Sequence, residues 1–82
     1  MLTFVQFKDA MKKDTFFRIT SSGFNMTCVI DDVFDCDYAF HNVISRERFV
    51  MTTDLLYQAY KKNELNFFSN FRIIRKSQKK ID

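Results

Sequence analysis

The chain has 82 residues, 46% of them hydrophobic and 28% charged, a balance that excludes wholesale disorder and leaves no room for a second domain. Its formal net charge is only +3, so a uniformly basic or acidic protein is excluded as well. Phe occurs 11 times, Gly once and Pro never. That rules out a Gly-rich phosphate loop and predicts more apolar bulk than so small a core encloses, leaving an apolar contact surface outside.

The first element is marked by its caps. Thr3 and Gln6 have the spacing of a capping box, and Leu2 and Phe7 that of a hydrophobic staple. Phe4, Phe7, Ala10 and Met11 share one helical face, while Lys12 and Lys13 suit the negative end of the helix dipole. A helix is predicted over 4–13.

The period then falls to two. Thr15 to Thr20 reads as a strand, Thr20-Ser21-Ser22-Gly23 as a turn, and residues 24–30 as a second strand. After Asp31-Asp32-Val33 the alternation resumes through residue 41. Closing the second hairpin at 31–33 sets Ile30 opposite Phe34, Cys28 opposite Cys36, Met26 opposite Tyr38 and Phe24 opposite Phe40. Closing the first at 20–23 sets Ile19 opposite Phe24 and Phe17 opposite Met26. Both closures gather the apolar members on one face, and a slip by one residue would send them to the other.

Arg46-Glu47-Arg48 reads as an exposed turn and Phe49-Val50-Met51 as a short fourth strand. Thr52, Thr53 and Asp54 are caps for a second helix at 54–63, with Leu55, Leu56, Ala59 and Tyr60 as its stripe and Asn63 as its stop. Residues 65–75 fit either a strand or a helix; aromatic and β-branched content favours the strand. The expected fold class is α+β: a two-layer arrangement of an antiparallel meander of three to four strands, with a C-terminal strand added, packed against two helices. Residues 1–75 form the domain and 76–82 a basic, fraying tail.

Charge is laid out unevenly. Residues 28–45 carry four aspartates and no Lys or Arg, whereas 61–82 carry seven basic and two acidic residues. Arg72, Arg75, Lys76, Lys79 and Lys80 follow Phe68 and Phe71, and basic groups beside aromatics are what phosphate neutralisation and base stacking require. A nucleic-acid (RNA) contact through this end is one reading; a solvated tail is the plain one. The helix–strand–strand–strand–helix order is shared with the double-stranded-RNA-binding domain, yet Thr52-Thr53-Asp54 stands where that family's second helix opens with lysines. The chain is not assigned to it.

Catalytic chemistry finds little support. The one histidine, His41, falls on the face opposite Cys28 and Cys36, and a thiol in apolar surroundings is inert. Two thiols do not close a zinc site, and Asp31, Asp32, Asp35 and Asp37 lack the glycine and bidentate glutamate of a calcium loop. No catalytic residue, metal or cofactor is expected. The chain opens without a basic and apolar leader and has no run long enough to span a membrane, which predicts a cytoplasmic protein with reduced cysteines.

The remaining signal is surface. Phe16, Val29 and Ala39, with Phe68 and Ile74, fall on the second sheet face, and strand 15–20 or the C-terminal strand is expected at an unpaired edge. The expected function is that of a non-enzymatic interaction protein, an inhibitor or redirecting factor of a host protein of the kind phages and mobile elements carry, and itself a homodimer. Its protein interface is assigned to Phe16, Val29, Asp35, Asp37 and Phe68.

Overall fold

The computed structural model describes residues 1–21 and 23–68. The elements run α1 (Phe4–Ala10), β1 (Phe16–Ser21), β2 (Phe24–Val33), β3 (Asp37–Asn42), β4 (Arg48–Thr52), α2 (Thr53–Lys61) and β5 (Leu65–Phe68). The strands form one antiparallel sheet in the order β4-β3-β2-β1-β5, so the protein is α+β. The C-terminal segment is a strand through Phe68; the rest of the predicted 65–75 span lies outside the described residues.

The helices begin where their caps stand. Thr3 Oγ1 accepts from the Gln6 N–H at 3.2 Å and Gln6 Oε1 accepts from the Thr3 N–H at 3.0 Å, completing the capping box. Thr52 Oγ1 accepts from the Leu55 N–H at 3.1 Å to open α2. Helix α1 is shorter than the predicted 4–13, because the Met11 and Lys12 backbone turns toward Asp14 at φ 70° and β1. Asn63, with φ 62°, takes the left-handed position that ends α2, as its short polar side chain permits.

Both hairpins close later than the alternation suggested. In the first, Ile19 faces Met26, Phe17 faces Cys28 and Ser21 faces Phe24, so pairing runs one step further toward the turn. Gly23 supplies the positive φ of 87° there. In the second, the loop is 34–36 and not 31–33. Ile30 faces Phe40 and Cys28 faces Asn42, with a bulge between Ile30 and Asp32. Cys28 and Cys36 are therefore not cross-strand partners. Phe34 and Cys36 leave the apolar wall and are exposed.

The wall itself persists. Phe17, Ile19, Cys28, Ile30, Tyr38, Phe40 and Leu65 are buried together with Phe7 and Met11 from the α1 end and Leu56 from α2. Two aromatic clusters take in five of the 11 phenylalanines. One joins Phe7 to Tyr57, Tyr60 and Phe67, with centroids 5.3, 5.1 and 6.1 Å away; the other joins Phe40 to Phe17 and Phe49 at 5.0 and 5.5 Å. Strand β1 is interior, since β5 covers the side that β2 does not; of the two expected edges, 15–20 is not one, and among the described residues the margins are the C-terminal strand β5 and β4. Among the described residues no helix is long and apolar enough to cross a membrane.

Candidate interaction surface

Residues directly opposite one another in paired strands project to the same face of a sheet. The pairings Phe68↔Phe16, Phe16↔Val29, Val29↔His41 and His41↔Arg48 therefore define a single row that crosses all five strands. It lies one residue out of phase with Phe17, Cys28 and Phe40, on the face away from the core. Phe16, Val29 and Phe68 occupy adjacent places in the row and are half-buried. Ala39 and Val50, paired one step along, extend the apolar strip, and Val50 is 68% exposed.

The sheet thus brings together three of the five predicted interface residues. Asp37 stands at the start of β3 on the same face as Ala39 and His41. Asp35 does not join them. It sits in the β2–β3 loop, where its carbonyl accepts from Lys8 Nζ at 3.0 Å and ties the loop to α1. The predicted nucleic-acid residues Arg72, Arg75, Lys76, Lys79 and Lys80, together with Ile74, lie outside the described residues.

One polar pair on this face escaped the sequence reading. His41 Nδ1 lies 2.9 Å from both carboxylate oxygens of Asp31, and since a carboxylate only accepts, Nδ1 carries the proton it donates. Asp31 lies two residues beyond Val29, which pairs with His41, and so falls toward the same face, with the bulge at Asp31 itself. The signal was present: two consecutive aspartates inside an otherwise apolar run are unfavourable in a regular strand. Beside the pair, Asp31, Asp32, Ala39, Phe40, Arg48, Phe49 and Val50 line an open cleft of about 330 Å³ at the β4 side.

The pair has no thiol beside it. Cys28 faces Asn42 on the core side, one residue out of phase with Val29 and His41, and burial pushes its thiol up to about 11. Among the described residues no three His, Cys, Asp or Glu side chains gather as a metal site. What the face offers is an apolar strip of two aromatic rings and aliphatic groups, crossed by fixed charges at the β4 end. Comparison of the chain with protein-family models, curated proteins and solved structures finds no match.

Proposed function

We propose that this protein is a non-enzymatic binding module that takes a protein partner on its outer sheet face. The observation that carries the reading is the row Phe68–Phe16–Val29, a contiguous apolar strip on the face that the core does not use. An apolar strip with charge at its margin is the anatomy of a protein interface. The aspartate-rich stretch 28–45 selects for a partner whose apolar patch is flanked by basic groups. A small inhibitor or redirecting factor acts by occupying such a patch and requires no chemistry of its own.

The test is capture from a host lysate by the tagged chain, with and without nuclease, beside Phe16→Asp. The expected result is a protein retained after nuclease and lost with Phe16→Asp while the circular dichroism stays that of the parent. Loss on nuclease treatment would transfer the function to the basic segment beyond Phe68 and to a nucleic acid. Undiminished capture by a folded Phe16→Asp would remove the outer face from the interface.

A further inference from the structure

Strand β4 forms one margin of the sheet, and its far side is unpaired among the described residues. Which of its backbone groups are open follows from its bonds to β3. The Asn42 N–H donates to the Glu47 carbonyl and the Thr53 N–H to the Cys36 carbonyl, each at 2.9 Å. In an antiparallel pair these bonds fall on alternate residues. Phe49 and Met51 therefore bond to β3, and the N–H and C=O groups of Arg48 and Val50, with the N–H of Thr52, point outward.

We propose that β4 pairs antiparallel with β4 of a second copy of this chain about a two-fold axis at Val50, joining two sheets into one. Three features of the strand fit this occupant. A two-fold at Val50 sets Val50 opposite itself and Arg48 opposite Thr52, so the N–H and C=O of each Val50 meet those of its twin and each Arg48 C=O meets a Thr52 N–H. On the core-side face the same axis sets half-buried Phe49 opposite half-buried Met51, an apolar cross-strand pair.

The third feature is charge. Arg48 is exposed, and among the described residues no Lys or Arg lies within salt-bridge distance of a carboxylate, so Arg48 and Asp37 have no charged partner there. Asp37 faces Thr52 across β3–β4. The two-fold lays Arg48 of one copy beside Thr52 of the other, one strand from its Asp37, within the combined reach of the two side chains across strands about 4.8 Å apart. An arginine at a sheet margin ordinarily repels its own twin. Here only Val50 meets its twin, and each Arg48 meets the acidic end of the opposite copy.

The proposal rests on the open backbone of β4 and not on the Phe68–Phe16–Val29 row, although Arg48 and Val50 also border the partner-binding face at its β4 end. Sedimentation velocity over a concentration series tests it, with amide hydrogen exchange of the whole chain. A monomer–dimer equilibrium is expected, with the Val50 and Thr52 amides slowing in exchange as concentration rises. Val50→Lys places like charges at the axis and should weaken association by about tenfold or more. Arg48→Asp and Asp37→Arg should each weaken it, and the double reversal should restore it, with circular dichroism unchanged throughout. A wild-type monomer at every concentration overturns the proposal, as does a dimer indifferent to Val50→Lys and Arg48→Asp. A double reversal that fails to restore association overturns the Arg48–Asp37 pairing. Partner capture by a monomeric Val50→Lys would leave the outer-face reading standing.

Discussion

Tyr38 is fully buried in β3, and its hydroxyl donates to the Met11 carbonyl at 2.8 Å. Met11 is the C-cap of α1, so this bond satisfies a carbonyl that the helix leaves open and ties the helix to the sheet. Tyr38→Phe keeps the ring and strands the carbonyl; it is expected to cost about 1–2 kcal/mol, read by urea denaturation. Two groups in the core also set an alkaline limit. Burial raises the Cys28 thiol from 9.0 to about 11, and burial together with the Asp9 charge raises Tyr38. Above about 9 the unfolded thiol ionises while the folded one does not, so stability present below that pH is lost as pH climbs toward about 11. Thermal melts over that range should fall, and fall less steeply for Cys28→Ala. At neutral pH a thiol reagent should modify exposed Cys36 in the native protein and reach buried Cys28 only after unfolding.

Among the elements, α1 depends most on its tertiary contacts. Seven residues are too few to hold a helix alone, and its stability comes from Phe7. That ring packs against Tyr57 and Tyr60 of α2 and Phe67 of β5. The segment before it is held too: the Tyr57 hydroxyl donates to the Leu2 carbonyl at 3.0 Å, and the Leu2 N–H donates to the Tyr60 hydroxyl oxygen at 2.9 Å. Phe7→Ala should cost about 3–5 kcal/mol, a large share of the roughly 5–15 kcal/mol that holds such domains, and the far-UV signal at ambient temperature should show it. The same elements show what could be read from the sequence. Capping residues are local, so Thr3, Gln6 and Thr52 announced their helices, and alternation is local, so the strands were visible. The ends of the second hairpin were not. Asp31 and Asp32 resemble a turn because aspartate is poor in strands, and nothing local shows that a bulge keeps both carboxylates away from the core. Moving the loop to 34–36 lets Phe40 meet Phe17, a contact between residues far apart in sequence that only packing decides.

For the molecule as a whole, the sheet divides the apolar residues into two sets with different fates. Cys28 and Ile30 on β2 close the core, while Val29 between them joins Phe16 and Phe68 on the other face. Phe16, Val29 and Phe68 could be named from the sequence because a shift of register by an even number of residues leaves the faces unchanged. The His41–Asp31 pair and the open side of β4 could not, since one depends on the register that sets Val29 opposite His41 and the other on strand order. The division of β2 is tested most directly by placing the same charge on two neighbouring residues, Val29→Lys and Ile30→Lys, and measuring thermal unfolding and partner capture for each. Val29→Lys is predicted to melt cooperatively near the parent temperature and to lose the captured protein, and Ile30→Lys to lose the folded state. A folded Val29→Lys that captures its partner as the parent does would contradict the account.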